Sequence, residues 1–164
     1  MKWYVIQTKP KKEEEAAAYL YLNGLEVFKP LMETFAPRNG RMKKEFRPLF
    51  PNYIFAKFEL EKNYPLVRWA RGVKKVLGFG GYPVPIREEV IELIKKRTDE
   101  NGIVKKTHHF MANDVVRIKT GPLKDLLGIF DRWVSDGERV KVLLNLIGYQ
   151  PEVEIHYSLI EKVA

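Results

Sequence analysis

The pattern of the chain changes at residues 98–109. Before this segment, short runs of aromatic and β-branched residues alternate with runs of strong helix formers. After it, five short strand-like segments follow one another, separated by turn-forming residues. The segment itself is polar, contains a glycine and has little periodicity. The sequence therefore predicts an α+β fold with an N-terminal domain over residues 1–97, a linker over 98–109 and a C-terminal domain over 110–164.

The N-terminal domain is predicted to be an α/β sandwich, in which helices cover a sheet. Its order is strand, helix, strand, hairpin, strand, helix, strand and helix, beginning with the aromatic and β-branched run Trp3–Ile6. The dipeptide Asn39-Gly40 favours a tight turn at the tip of the hairpin. The C-terminal domain is predicted to be a small five-stranded β-barrel, because closure removes the exposed edges of short strands.

The positive charge of the chain is confined to its first part. The formal net charge is +8, but residues 1–106 hold 22 basic and 13 acidic residues, whereas residues 107–164 hold 7 and 8. Such asymmetry indicates a polyanionic partner, and nucleic acid in particular, for the first part. The alternative is that surface lysines serve only to keep the chain in solution.

Catalysis is not indicated by the residues present. The chain has no cysteine, and its histidines are His108, His109 and His156, so neither a thiolate nor a clear metal-ligand spacing is found. Residues 78–81 (GFGG) lack the spacing of a phosphate-binding loop and are interpreted as a turn. We therefore expect a protein that is not an enzyme and that uses no cofactor and no metal.

The chain is expected to be a cytoplasmic monomer that does not associate with membranes. No apolar run approaches the roughly 18 to 20 residues that cross a bilayer. The first residues after Met1 lack the apolar stretch of a secretory signal. The absence of cysteine is typical of a reducing compartment, where disulfides are rare.

Two groups of basic residues are candidates for binding nucleic acid. The first lies on the predicted hairpin and consists of Arg38, Arg41, Lys43, Lys44 and Arg47, among which one acidic residue is interspersed. Guanidinium and ammonium groups on a hairpin can neutralise phosphates. A solvated loop that binds nothing is an equal alternative for this group.

The second group surrounds Trp69 and consists of Arg68, Arg71, Lys74 and Lys75. These cations could hold a phosphate backbone while a base stacks on the indole ring. The sequence favours a different role for Trp69, as a core residue on one face of a short helix, and it favours phosphate contact for Arg71.

The strand predicted from Tyr53 has large side chains on both of its faces. Alternation places Ile54, Ala56 and Phe58 on one face and Tyr53, Phe55 and Lys57 on the other. If the first face lies in the core, the aromatic rings of the second face must also be covered. Either a helix of the same domain or a partner protein could cover them.

Several short motifs occur together in a specific order. They are Trp3-Tyr4-Val5, residues 49–55 (LFPNYIF), Arg71-Gly72-Val73, residues 78–80 (GFG), residues 83–86 (PVPI), and Gly121-Pro122-Leu123 with Gly128. In this order and spacing the chain resembles NusG-type transcription elongation factors over nearly its whole length. The resemblance implies a NusG N-terminal domain, a flexible linker and a C-terminal KOW β-barrel.

The resemblance also implies binding to RNA polymerase. In the family, the N-terminal domain docks on the clamp helices of the β′ subunit and reaches the β subunit across the DNA cleft, which disfavours the paused state. Carried onto this sequence, Phe50, Tyr53 and Phe55 would contact the clamp helices. Lys9 and Arg71 would face upstream or non-template DNA. The barrel of the family recruits the termination factor Rho or a small-subunit ribosomal protein, and a near-neutral barrel suits a protein partner.

Two positions differ from the usual pattern of general NusG proteins. Asn52 stands where these usually have Gly, and Arg71 stands where they usually have Pro. Both differences resemble the specialised, operon-specific paralogues such as RfaH and LoaP, and the LoaP-like paralogues recognise a leader RNA hairpin. The His-Thr-Thr-Thr run by which RfaH touches the β subunit is absent, and residues 63–66 (NYPL) lie near its place.

The barrel of RfaH can refold as helices, which raises the same question for this chain. Here 12 of residues 110–164 are Val or Ile, a composition that favours strands. Propensity by itself leaves the alternative fold open.

We therefore expect a specialised bacterial transcription factor that binds RNA polymerase, suppresses pausing and promotes processive antitermination of selected operons. It would be recruited by a leader RNA hairpin or by non-template DNA. The alternatives are a general NusG factor that acts with Rho, and a stand-alone RNA-binding or ribosome-associated KOW protein that does not contact polymerase.

Overall fold

Residues 1–105, 110–134, 137–146 and 148–163 are described by a computed structural model of the chain. The chain divides into two units, which are described separately. The N-terminal unit comprises Met1–Ala36 and Lys43–Lys106, and the C-terminal unit comprises Pro37–Met42 and Thr107–Ala164. Within the described ranges, no helix is both long and apolar enough to cross a membrane.

The α-helices of the described residues all lie in the first part of the chain, and strands occur throughout. The elements of the first part are β1 (Lys2–Thr8), α1 (Glu13–Leu22), β2 (Glu26–Phe28), β3 (Leu31–Arg38), β4 (Arg41–Pro48), β5 (Tyr53–Phe58), α2 (Leu60–Arg68), β6 (Val73–Val76), β7 (Gly78–Phe79), β8 (Tyr82–Pro83) and α3 (Glu88–Lys96). The elements of the second part are β9 (Val115–Ile118), β10 (Leu127–Trp133), β11 (Arg139–Leu144), β12 (Glu152–His156) and β13 (Ile160–Lys162). The predicted α+β fold is confirmed.

The sheet at the centre of the N-terminal unit has the strand order β2-β5-β1-β6. Each neighbouring pair is antiparallel, and the long β1–β5 ladder places Ile6 opposite Ile54 and Val5 opposite Phe55. Because side chains alternate along each strand, this register aligns the apolar residues of both strands on common faces.

Both faces of this sheet are covered by helices. One face packs against α1 and α2, and its buried residues include Tyr4, Ile6, Ala16, Leu20, Ile54, Ala56, Phe58 and Val67. The other face packs against α3, with Trp3, Phe28, Phe55 and Ile91 buried together. The predicted sandwich is therefore confirmed, and helix α3 is the element that covers Phe55.

The interpretation of Trp69 as a core residue is wrong. Helix α2 ends at Arg68, and Trp69 is its C-terminal cap. Trp69 follows the buried Val67 by two residues, which turns its side chain about 200° away from the side of the helix that faces the core. Its neighbours Val67 and Ala70 are buried, whereas Trp69 is 79% exposed.

Residues 98–105, predicted to begin the linker, are hydrogen-bonded within the N-terminal unit. The N–H of Val104 donates to the carbonyl of Leu31 at 2.8 Å. The Asp99 carboxylate accepts from two backbone N–H groups of its own turn, at 2.8 and 3.0 Å. The polar composition here therefore reflects a turn stabilised by side chains. The rest of the predicted linker, residues 106–109 with their two histidines, lies outside the described residues.

The strands of the C-terminal unit form one antiparallel sheet in the order β12-β11-β10-β9-β13. Its interior contains Val116, Ile118, Phe130, Val140, Val142 and Ile160. A short 3-10 turn, Tyr157–Leu159, connects the two terminal strands of this order. At Gly128, an added Cβ would lie 2.5 Å from Cγ1 of Val142, so β10 and β11 pack too closely there for any side chain.

The backbone at Asn52 has a left-handed conformation. Its φ is 69°, and both of its peptide groups are held: its N–H donates to Oε1 of the buried Glu13 at 2.7 Å, and its carbonyl accepts from Thr8 N–H at 2.8 Å. Glycine and asparagine are the residues that adopt this conformation most readily. The residue type at position 52 is therefore explained by the turn that precedes β5.

We expect Asn52→Ala to lower the free energy of unfolding by about 1 to 2 kcal/mol, because alanine is strained at positive φ. Asn52→Gly should leave stability nearly unchanged, since glycine adopts this φ freely. Urea denaturation of the full chain, followed by circular dichroism, measures both variants. Equal stability of the alanine and glycine variants would contradict the conformational explanation.

Candidate functional site

The aromatic surface, defined as Phe50, Tyr53 and Phe55, lies where the chain enters β5. The Phe55 ring is buried against Phe28, with ring centroids 6.0 Å apart. Phe50 stands edge-on to Phe55 at 5.7 Å, and 36% of its surface is exposed. The N–H of Tyr53 donates to the Phe50 carbonyl at 3.0 Å, which closes the turn between them. An exposed ring is thus seated on a buried one.

The three aromatic residues predicted to contact a partner are therefore brought together, but they are not equally accessible. Phe55 is only 5% exposed and belongs to the core beneath α3. Tyr53 is half-buried and Phe50 is the most accessible of the three. In any contact at this surface, Phe50 and Tyr53 would touch the partner and Phe55 would support Phe50 from below.

Ion pairs fasten α3 to the sheet above the buried Trp3. Lys57 on β5 pairs with Glu88 at 2.8 Å, and Lys95 pairs with Glu26 on β2 at 3.1 Å. The ammonium group of Lys95 lies 4.8 Å from the centroid of the Trp3 ring. The hydrogen bond between Lys57 and Glu88 raises the pKa of Lys57 and lowers the pKa of Glu88. The helix that covers Phe55 is therefore held at its beginning and at its end.

Lys9 and Arg71 lie on two loops that are joined by their backbones. The N–H of Lys9 donates to the Gly72 carbonyl at 2.8 Å. Nε of Arg71 pairs with Oε1 of Glu15 at 2.8 Å, and Nζ of Lys12 pairs with Oε2 of the same carboxylate at 2.8 Å. The hydrogen bond from Lys12, with the positive charges of Arg71 and Lys9, lowers the pKa of Glu15.

The close approach of these two loops depends on a glycine. Gly72 has a φ of +81°, and a Cβ there would lie 3.2 Å from both the Lys12 carbonyl oxygen and the Ala16 nitrogen. Lys12 is a member of this basic cluster that was not predicted from the sequence. Its place in the run Lys9-Pro10-Lys11-Lys12, beside the start of α1, is the signal that could have found it.

Arg68, Lys74 and Lys75 lie apart from that cluster, on and beside the edge strand β6. Nη1 of Arg68 donates to the Lys74 carbonyl at 3.2 Å, and the guanidinium lies 4.8 Å from the Trp69 ring centroid. Both lysines are exposed. The second predicted basic group is thus divided between two neighbouring places of the N-terminal unit.

The basic hairpin, defined as Arg38, Arg41, Lys43, Lys44 and Arg47, consists of the end of β3 and the strand β4. Its turn has φ values of 50° at Asn39 and 74° at Gly40, as the sequence predicts for a two-residue hairpin turn. Arg41, Lys43 and Arg47 alternate along one side of β4. Lys44 lies 3.4 Å from the acidic Glu33, and Arg47 lies 3.4 Å from the acidic Glu45.

No metal site is found in the part of the chain that the structure describes, since no three His, Asp or Glu side chains converge there. His108 and His109 lie outside the described residues. His156 is buried, and its Nδ1 accepts from the N–H of Ser158 at 3.2 Å. That histidine takes part in the 3-10 turn of the C-terminal unit.

The fold of the chain is similar to that of a solved structure of low sequence identity. The solved structure titled MjSpt4:Spt5 complex conformation A matches with a TM-score of 0.53 at 15% identity, covering 99% of this chain and 98% of that chain. At this identity the likeness concerns the fold: an antiparallel sheet between helices, followed by a strand-rich unit.

The family is shown by sequence. The family model described as transcription termination factor nusG matches residues 1–95, which is more than half of the chain. The transcription termination/antitermination protein NusG of Pseudomonas aeruginosa PAO1 is 28% identical over 177 residues, covering 99% of this chain and 98% of the relative. The protein of the same name from Escherichia coli K12 is 27% identical over 176 residues, covering 98% and 96%. The chain belongs to the NusG family of transcription termination/antitermination factors.

If the basic hairpin contacts phosphates, the double variant Arg41→Gln, Lys43→Gln should bind duplex nucleic acid with a weaker dependence on salt. Each lost phosphate contact reduces the slope of log K against log salt by about 0.9, so the slope should fall by about 2. The matched control is Lys119→Gln, Lys124→Gln, which removes two exposed lysines of the C-terminal unit. Fluorescence anisotropy at several salt concentrations measures both, and an unchanged slope in the hairpin variant would identify a solvated hairpin.

Proposed function

We propose that this protein is a specialised transcription elongation factor that binds RNA polymerase, suppresses pausing and promotes processive antitermination of selected operons. The observation that carries the proposal is the aromatic surface, because it presents an accessible Phe50 ring on rigid support in a chain of the NusG family. An exposed aromatic residue with a fixed orientation loses little entropy on binding and suits a protein interface.

The polymerase contact is assigned to Phe50 and Tyr53, with the clamp helices of the β′ subunit as the partner and the β subunit as a second contact. Phe55 fixes their position without reaching the interface, because α3 and Phe28 cover it. A factor that bridges the two sides of the cleft would bind the elongating state better than the paused state. Such differential binding shifts the population toward elongation.

The recruiting nucleic acid, a leader RNA hairpin or the non-template DNA strand, is assigned to the basic residues of the N-terminal unit. Arg71 is central to this role, because general NusG proteins usually have proline at its position. Its side chain is 78% exposed although Nε pairs with Glu15, and the backbone of the neighbouring Gly72 holds Lys9 beside it. These two cations are therefore displayed together on joined loops. Cytoplasmic location and action as a monomer belong to the same proposal.

A general NusG factor is the second candidate. It is favoured by the 27–28% identity to NusG termination/antitermination proteins over nearly the full chain. The left-handed backbone at Asn52 also reduces the weight of that position as a mark of a specialised paralogue, since Gly and Asn are both suited to it. In that case the C-terminal unit would bind Rho or a small-subunit ribosomal protein.

The double variant Phe50→Ala, Tyr53→Ala should lose binding to RNA polymerase by at least about tenfold, because truncation of two central aromatic residues removes an interface hot spot. Its affinity for nucleic acid should be unchanged. Phe46→Ala is the matched control, since Phe46 is a phenylalanine of the preceding strand β4 that is 50% exposed. Co-purification and anisotropy measure the two affinities; loss of both, or of neither, would refute the assignment.

Reconstituted elongation separates the two candidates. A specialised factor should increase terminator readthrough on templates that carry its recruiting leader and leave other templates unaffected. A general factor should change pausing on all templates and should stimulate Rho-dependent termination. No effect on pausing or readthrough on any template would refute both.

A further inference from the structure

The dipeptide Asn-Gly occurs three times in the chain, at residues 23–24, 39–40 and 101–102. Asparagine is chemically reactive before glycine, because the backbone nitrogen of the next residue can attack the side-chain amide and glycine has no side chain to obstruct the attack. All three asparagines are exposed to water. Sequence and exposure therefore do not distinguish the three sites, whereas their hydrogen bonds do.

At the first site, the end of helix α1 holds both reacting groups. The N–H of Gly24 donates to the carbonyl of Tyr21 at 3.0 Å. Nδ2 of Asn23 donates to the carbonyl of Tyr19 at 2.8 Å. Because the attacking nitrogen and the leaving amide are both engaged, reaction at Asn23 first requires the helix end to open.

At the third site, a turn holds the attacking nitrogen. The N–H of Gly102 donates to the carbonyl of Asp99 at 3.0 Å, and its carbonyl accepts from the N–H of Leu31 at 2.9 Å. The N–H of Asn101 donates to Oδ1 of Asp99 at 2.8 Å. The peptide groups on both sides of Asn101 are therefore fixed, and the backbone rotation that brings the nitrogen to the side chain is hindered.

The second site, at the tip of the basic hairpin, lacks these restraints. Within the part of the chain that the structure describes, neither the N–H of Gly40 nor the side chain of Asn39 has a hydrogen-bond partner. The φ values of 50° and 74° form a two-residue turn, which is closed by the flanking residues. The peptide group between Asn39 and Gly40 is thus left to water.

The charges beside the dipeptides also differ. Arg38 and Arg41 flank the second site, whereas Asn101 follows Asp99 and Glu100. The attacking nitrogen must lose its proton, and the tetrahedral intermediate carries negative charge on oxygen. Neighbouring cations stabilise both charges, and neighbouring carboxylates oppose them.

We propose that Asn39 is a site of spontaneous covalent modification, at which asparagine becomes aspartate or isoaspartate. The nitrogen of Gly40 loses its proton to hydroxide and forms a bond to Cγ of Asn39. The bond between Cγ and Nδ2 then breaks, and the leaving nitrogen takes a proton from water and departs as ammonia. Water opens the resulting cyclic imide at either of its two carbonyl carbons. One opening gives an aspartate side chain on a normal backbone, and the other gives an isoaspartate linkage.

Both products change the basic hairpin. Each places a carboxylate between Arg38 and Arg41, which lowers the positive charge of the tip. Isoaspartate also adds a methylene to the main chain of a tight two-residue turn, so the pairing of β3 with β4 should loosen. The chemistry itself does not depend on what the hairpin binds, so it can fail or succeed independently of the proposed function.

The test uses the purified full chain, incubated at physiological temperature in mildly alkaline buffer made with water enriched in oxygen-18. Digestion with a glutamate-specific protease and tandem mass spectrometry locate each asparagine that has exchanged its NH2 group for a heavy OH group. Asn39 should be modified at least about tenfold faster than Asn23 and Asn101, because those two sites must break hydrogen bonds before they react. In urea, which removes this protection, the three rates should agree within a few fold.

Asn39→Gln and Asn23→Gln form a matched pair of variants. Each lengthens one asparagine side chain by a methylene, which slows ring closure. Asn39→Gln should remove most of the modification of the folded chain, and Asn23→Gln should leave it unchanged. Thermal melting of both variants confirms folding.

Modification of Asn39 that is no faster than that of Asn23 and Asn101 in the folded chain would overturn the proposal. Formation of aspartate without isoaspartate at residue 39 would also overturn it, because a cyclic imide opens to both products. Labelling of the Asn39 peptide by an isoaspartyl methyltransferase measures the isoaspartate.

Discussion

Strand β5 is buried on both of its faces, and the N-terminal unit is arranged around that fact. Ile54 and Phe58 face the core under α1 and α2, while Phe55 faces the core under α3. An antiparallel sheet usually leaves one face to solvent. Here neither face can be left uncovered, because each buried side chain of this size contributes about 1.5 to 3 kcal/mol through removal from water. The sheet is therefore covered by three helices, and Phe50 packs on a Phe55 ring that the third helix holds in place.

Local signals predicted most of the elements and their order. The Asn39-Gly40 turn, the helix over α1 and the alternation along β5 each depend on residues close together in the chain, and the structure has all three. Alternation predicts which residues share a face, but not which element covers that face. The position of Phe55 beneath α3, rather than at an open interface, depends on a helix more than 30 residues later. The sequence pattern alone left open whether a helix of the same domain or a partner protein covers Phe55.

The remaining errors have equally specific causes. Trp69 lies on the surface because Val67, two positions earlier, faces the core, and positions two apart lie on opposite sides of a helix. Which side of α2 faces the core depends on packing rather than on propensity. The polar segment 98–105 was interpreted as a linker because polar turns and polar linkers have the same composition. What distinguishes the turn from a linker is its backbone hydrogen bonding, since the N–H of Val104 donates to the carbonyl of Leu31, a residue distant in the sequence. A bulge on β6 could not be predicted either, since register is a property of two strands. Along β1, Gln7 lies opposite Lys75 but Thr8 lies opposite Val73, so Lys74 is an extra residue on β6.

Because of that bulge, the side chains displayed at the sheet edge depend on the number of residues in β6. With one residue fewer between Val73 and Val76, the ladder would be regular, one lysine instead of two would face outward, and the carbonyl that orients Arg68 would be gone. The strand order and the buried valines could stay as they are. In evolutionary terms, loss or gain of a single codon can therefore change the number of cations on this edge in one step. Relatives that share the fold can differ there even when every aligned residue looks conservative.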